Sequence, residues 1–202
     1  MTPRFLYVRL RPSQMSDGNG RLAQPITVER MKRGDLPRVM EIERQCFATP
    51  WHESAYLTEL SNRSAYYVAG WADDELVGYA GLWIILDEAH ITTIGVDPTR
   101  RGRKIGEQLL VAMLDEAIAR GARRVTLEVR ERNHVAQNLY RKYGFTPAAI
   151  RRGYYSDNNE NAVVMWISDT RDPGYQEKLR GLKDTLRQEM VQSEVPAQAE
   201  PS

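Results

Sequence analysis

A single cysteine among 202 residues leaves Cys46 no partner for an internal disulfide and excludes a cysteine-rich metal site. Histidine is nearly as scarce, and His52, His90 and His134 lie too far apart for zinc-ligand spacing, so no metal is expected. Long apolar runs are missing too: the longest, Tyr79 to Leu86, is too short to span a bilayer. Arginines interrupt the apolar residues of the opening MTPRFLYVRLRP, so no secretory leader is visible and a cytoplasmic location without membrane association is expected. No charge excess exists, with 28 basic against 27 acidic residues and a net charge of +1. A general nucleic-acid binder would carry a strong basic surplus, so no direct nucleic-acid contact is expected. What remains is ordinary: 42% apolar and 27% charged residues, the make-up of one soluble domain with decorations.

Residues 1–25, rich in Pro, Ser, Gly and Asn, are expected to form a flexible arm. Order begins at Ile26 with a short strand, ITVERM. Asp35 is a candidate N-cap for a helix carrying Leu36, Val39, Met40, Ile42 and Phe47 on its apolar face. A second short helix runs to Leu60. Ala65–Trp71, Leu76–Leu86 and His90–Val96 predict an antiparallel meander turning at Asp73-Asp74 and Asp87-Glu88. The folded domain is expected over 26–168, and residues 169–202 as a charged helix (Leu179, Leu182, Leu186 and Met190 on a narrow stripe) with a disordered tail.

The chain is organised around His90–Gly121. A β-branched strand stops at Asp97-Pro98, and Ile105, Leu109, Leu110, Met113, Leu114 and Ala117 then recur at helical spacing until Gly121. Between strand and helix lie Arg101, Gly102, Arg103, Lys104, Ile105 and Gly106. Backbone N–H groups at a helix start, flexible glycines and several cations together suit phosphate oxygens; a solvated turn is the plain alternative.

In the next strand, Arg123–Arg130, alternation sets Val125, Leu127 and Val129 on one face and Thr126, Glu128 and Arg130 on the other. Glu128 is either a salt-bridged surface carboxylate or a general base held toward a cleft. A base of the second kind is expected to show a raised acid limb in the pH–rate profile. Asn133 caps the following helix, on which Tyr140 shares the inward stripe with Ala136, Leu139 and Tyr143. A phenol there packs the core or donates a proton, its ordinary pKa of roughly 10 keeping it protonated. Cys46, without a paired histidine, is expected to be a packed, inert thiol. Gly95 suits a bulge or a close backbone approach.

Strand, RxxKxG-type turn, helix, LEVR strand and the Asn133-to-Tyr140 spacing together resemble the GNAT N-acetyltransferases. More narrowly, Pro50-Trp51, LDEA at 86–89, VDP at 96–98, LEVR at 127–130, NLYRKYGF at 138–145 and IRRGYY at 150–155 are similar to the bacterial ribosomal-protein-alanine N-acetyltransferases. The resemblance covers about 26–168 and implies an α/β fold: a mixed, mostly antiparallel sheet of six or seven strands flanked by helices and splayed between 91–96 and 123–130. It implies acetyl-CoA as co-substrate, with backbone groups of Ile94, Gly95 and Val96 along the pantetheine arm. Residues 101–106 would hold the pyrophosphate, and Asn133 would contact the cofactor. Glu128 would be the base and Tyr140 the acid of a direct transfer. One departure stands out: Lys104 occupies the place of the family's first turn glycine, and its side chain is expected to reach a phosphate.

The implied acceptor is the N-terminus of a protein, a ribosomal protein starting with alanine, met by a monomer or weak dimer. Presenting a neutral lysine at pH 7 costs ~3 kcal/mol more than a neutral α-amine, which leans the same way. The alternatives are a small amine or lysine side chain as acceptor, or a non-catalytic acyl-CoA-binding module. Trp51, Tyr154 and Tyr155 are candidate acceptor-groove residues. As strand neighbours the two tyrosines are expected to face opposite sides, leaving one of them to line the groove.

Overall fold

The computed structural model describes residues 23–194. Its seven strands are β1 (Thr27–Arg30), β2 (Ala65–Ala72), β3 (Glu75–Ile85), β4 (Glu88–Val96), β5 (Arg124–Arg130), β6 (Thr146–Tyr155) and β7 (Glu160–Ile167). They form one sheet in the order β1-β2-β3-β4-β5-β7-β6. Every adjacent pair is antiparallel except β4 and β5, which run parallel. The helices among the described residues are α1 (Leu36–Cys46), α2 (Glu53–Ser61), α3 (Ile105–Ala119), α4 (His134–Lys142) and α5 (Pro173–Glu194). The expected tail, 195–202, lies outside the described residues, as does the arm up to residue 22.

Each face of the sheet is covered by helices whose apolar stripes match it. Leu36, Val39 and Ile42 of α1 and Tyr56 of α2 bury with Tyr67, Leu76 and Tyr79 on one side. On the other, Leu109, Leu110, Met113 and Leu114 of α3 and Leu179 of α5 bury with Val77, Ala80, Val125 and Leu127. A strand covered on both faces needs apolar residues at nearly every position, and β3, ELVGYAGLWII with its near-continuous apolar run from Leu76, supplies them.

Three local expectations are corrected. Asp35 stands at the N-cap position of α1, but its side chain makes no capping bond there. It sits in the 3-10 turn Arg33–Asp35, and its Oδ2 accepts the Lys32 N–H at 2.7 Å, pulled back by a turn that the pattern did not reveal. The β3–β4 hairpin turns on Leu86-Asp87, with Leu86 left-handed at φ 56°, so β4 starts at Glu88. The irregularity of β4 falls not at Gly95 but at Thr92, the residue left over where Gly81 pairs Thr93 and Leu82 pairs Ile91.

Gly95 answers instead to a side chain. A Cβ there would lie 2.5 Å from the ring of Tyr79, which is fully buried. Gly95→Ala should therefore destabilise the fold by about 1–3 kcal/mol, the range for overpacking a filled core, read as a lower urea midpoint at unchanged slope.

Candidate active site

β4 and β5 pair from Glu88–Arg124 to Ile91–Leu127, and the pairing then stops. Beyond it the two strands part, and a cleft of about 510 Å³ opens between them. Its wall brings together Ile94, Glu128, Asn133, Tyr140, Trp51, Tyr154 and Tyr155 from the sequence reading. Gly95, Val96 and the turn 101–106 lie outside this wall, further along β4 and at the start of α3.

Alternation along β5 turns Glu128 into the cleft, where its side chain keeps 7% of its exposure. Oε2 meets His90 Nε2 at 2.9 Å, and Oε1 meets Arg151 Nη1 at 3.1 Å. Burial pushes this carboxyl up, but the His90 hydrogen bond and the His90 and Arg151 charges outweigh it, so it titrates below the usual carboxylate value. Both oxygens thus have cationic or donor partners, and the direction is opposite to the raised value that the acid-limb expectation assumed. His90 and Arg151 were not legible as partners, because β4 and β6 approach β5 only in the fold.

Tyr140 projects from α4 and packs beside Phe145, their ring centroids 5.8 Å apart. Burial alone pushes its hydroxyl up to about 12. Asn133 Oδ1 accepts the Ala136 N–H at 3.1 Å, the capping bond its position predicts.

The far wall is held by a second buried carboxylate that sequence reasoning passed over. Glu43 Oε1 accepts the Trp51 N–H at 2.9 Å, and Oε2 accepts the hydroxyls of Tyr56, at 2.9 Å, and Tyr79. Burial raises its pKa, the bonds from Trp51 and Tyr56 opposing. Trp51 is thus fixed by its backbone while its ring packs on Tyr56 at 5.6 Å. Cys46 donates its thiol to the Val96 carbonyl at 3.2 Å and accepts from Arg101 at 3.4 Å.

Both Tyr154 and Tyr155 line the cleft, contrary to the expectation that one would turn away. Gly153 lies at φ 59° and the β6–β7 register slips between Arg151 and Tyr155. This bulge breaks the two-residue alternation and re-aims the pair. Their rings meet edge to face at 5.2 Å. Arg130 pins the hairpin: its guanidinium stacks 3.9 Å from the Tyr155 ring and pairs with Asp157 and Glu160 at 2.8 and 3.0 Å.

At the helix start, Asp97 caps the turn Pro98–Arg100 through Thr99 N at 2.8 Å. Gly102 and Lys104 are both left-handed, at φ 79° and 60°. For lysine that conformation costs on the order of 1–2 kcal/mol, which is why a glycine suits the place. The Lys104 ammonium, expected to reach a phosphate, pairs here with Glu189 of α5 at 2.5 Å. The α3 N-terminus carries no side-chain cap, so its first amides remain for an anion.

A parted parallel pair, a helix opening on free amides and a carboxylate facing the gap match one family. The profile of the acetyltransferase (GNAT) family covers residues 36–145, more than half of the chain. This protein belongs to the GNAT acetyltransferases. Members of this family use acetyl-CoA. The chain is 39% identical over 156 residues to the N-alpha-acetyltransferase RimI of Mycobacterium tuberculosis, covering 74% of this chain and 96% of that one. It is 36% identical to the ribosomal protein bS18-alanine N-acetyltransferase of Salmonella typhimurium, over 69% of this chain and 95% of that protein. The crystal structure of the ribosomal-protein-S18-alanine N-acetyltransferase of Escherichia coli superposes with a TM-score of 0.66 at 32% identity, over 71% and 93% of the two chains. Each relative is matched over nearly its whole length, while more than a quarter of this GNAT chain is left over.

Among the described residues, no helix is long and apolar enough to cross a membrane, and no group of three or more His, Cys, Asp and Glu side chains is placed to hold a metal ion.

Proposed function

We propose that this GNAT enzyme acetylates the N-terminal α-amine of a protein, a ribosomal protein beginning with alanine, using acetyl-CoA. The observation that carries the reading is Glu128: a cleft-facing carboxylate at the point where β4 and β5 part, held ionised by His90 and Arg151. The names of the Salmonella typhimurium and Escherichia coli relatives, which specify the alanine of ribosomal protein S18, support the acceptor.

The residues fit the co-substrate. Unpaired backbone of β4 near Ile94 offers strand-like bonds to a pantetheine arm. The Val96 carbonyl is already taken by the Cys46 thiol, so the N–H groups and the Ile94 carbonyl serve there. The amides at the start of α3, with Arg101 and Arg103 beside them, would hold the pyrophosphate, and Asn133 stands at the cleft wall. Acetyl-CoA supplies an activated acyl thioester.

Glu128 takes a proton from the acceptor's ammonium, directly or through water, and leaves a nucleophilic amine. As the new C–N bond forms and the C–S bond breaks, Tyr140 gives its hydroxyl hydrogen to the departing sulfur, and the proton that the attacking nitrogen then loses returns through solvent to the tyrosine oxygen. No covalent bond to the enzyme is needed. Trp51, Tyr154 and Tyr155 offer flat faces and polar edges to the acceptor's first residues, and a groove closed around a terminal amine favours a small first side chain.

Intact-mass analysis of a peptide panel tests this. An Ala-starting peptide should gain one acetyl group, and the same peptide with a blocked N-terminus none. Blocked peptides acetylated at lysine as fast as free ones at the N-terminus would replace the α-amine reading with a lysine or small-amine acceptor.

A further inference from the structure

We propose that α5 buttresses the phosphate turn and that Glu189 is a positioning residue, holding Lys104 in the left-handed conformation from which α3 starts. The inference rests on the cofactor placement above and deepens it: acetyl-CoA affinity is set partly from a helix that never touches the cleft.

Four observations converge. The backbone at Lys104 has φ 60° and ψ 11°, a state glycine adopts freely and lysine does not. Its carbonyl nonetheless accepts the Gln108 N–H at 3.0 Å, the first bond of α3, so the conformation at Lys104 decides where the amides of Ile105, Gly106 and Glu107 point. Those amides are the donors that a helix N-terminus offers to phosphate. The Lys104 ammonium is bound by Glu189 Oε2 at 2.5 Å, which fixes the side chain on the α5 side of the turn.

An isolated ion pair at the surface would contribute little, because both long side chains must first be ordered. Here one partner is delivered already ordered. Leu179, Leu186 and Met190 of α5 are almost fully buried, and Lys183 Nζ reaches both oxygens of Asp115 on α3 at 2.6 and 2.8 Å. The helix therefore runs back along α3, with Lys183 opposite Asp115 and Glu189 opposite Lys104. The family profile ends at residue 145, well before α5, so this support lies outside the part of the chain that the family shares. The opposite flank of the turn is tied separately: the Arg103 carbonyl accepts Gln24 N–H at 3.0 Å, and Gln108 Nε2 donates to the Gln24 carbonyl at 2.8 Å.

The test is a cycle of four full-length proteins: native, Glu189→Ala, Lys104→Gly and the double variant, with Glu189→Gln as a shape-conserving companion. Two readouts are taken: the acetyl-CoA Kd by calorimetry, and amide hydrogen exchange of residues 102–107 without ligand. Glu189→Ala should weaken acetyl-CoA roughly threefold to tenfold, the lower range of coupling between contacting residues. It should also speed exchange in the turn while the peptide KM stays put, and Glu189→Gln should follow it. In the Lys104→Gly background the same changes should do nothing, because glycine holds the conformation unaided. An unchanged Kd on removing Glu189 from the native chain overturns the proposal. So does equal weakening in both backgrounds, which would mean that α5 acts on the fold at large. Loss of binding in Lys104→Gly alone would make the ammonium a phosphate ligand and overturn it too. Absence of acetyl-CoA binding by the native chain would remove the cofactor placement itself, a result distinct from all of these.

Discussion

Glu128→Gln is expected to lower turnover by ~10²–10⁴, the span for loss of a positioned base, with acetyl-CoA binding nearly unchanged. Glutamine keeps the shape of the side chain and one oxygen for His90 or Arg151, but takes no proton. The pH profile makes the test sharper. The folded-state pKa of Glu128 is depressed, so the carboxylate is fully formed above the ordinary carboxylate value and is lost only as pH falls through the lower folded value. Between pH 5 and 8, kcat/KM should therefore rise with deprotonation of the acceptor's own α-amine, whose pKa is roughly 8. Glu128→Gln should drop the whole curve without moving that limb. A limb in the native enzyme near neutrality that vanishes in the variant would show the carboxyl raised rather than lowered. Near-native turnover would remove Glu128 from the chemistry.

Tyr140→Phe should cost ~10²–10³ in kcat, the loss seen when one donor to a developing anion is removed. Magnitudes decide what the hydroxyl does. With its pKa pushed up to about 12 by burial, complete transfer to a thiolate of ordinary pKa ~8.5 runs uphill by several kcal/mol. In the proposed mechanism Tyr140 would therefore act first as a hydrogen-bond donor to sulfur while charge grows there, and complete transfer would become easier where the same apolar surroundings raise the thiol as well. A synthetic acetyl donor with a more acidic leaving thiol should narrow the gap between Tyr140→Phe and the native enzyme. An equal deficit with both donors would assign the tyrosine to packing against Phe145 instead.

The parts that alternation and helical spacing govern were legible before the fold was seen. Glu128 faces the cleft because β5 alternates, Tyr140 because α4 has one inward stripe, and Asn133 caps as its position predicts. What the sequence hid was of two kinds. His90, Arg151 and Glu43 act through residues far away in the chain, and no local pattern brings them together. Thr92 and Gly153 break the alternation itself, so a rule that places Glu128 correctly misplaces one of Tyr154 and Tyr155. Lys104 lies between: its departure from the family's glycine marked the position, but the answering Glu189 is 85 residues away.

The slot between β4 and β5 also bears on how the sheet keeps other chains from adding to it. Unpaired strand backbone on a sheet's margin is a template onto which other chains add. At its true margins this sheet is guarded: β1 has only 4 residues, and β6 carries Pro147, Arg151, Arg152 and the Gly153 bulge. The stretch left open for a ligand lies instead in the interior, flanked by β3 on one side and β7 on the other. Free donors and acceptors are thus offered to a slender ligand entering the gap, while a neighbouring molecule's strand finds no accessible border to extend.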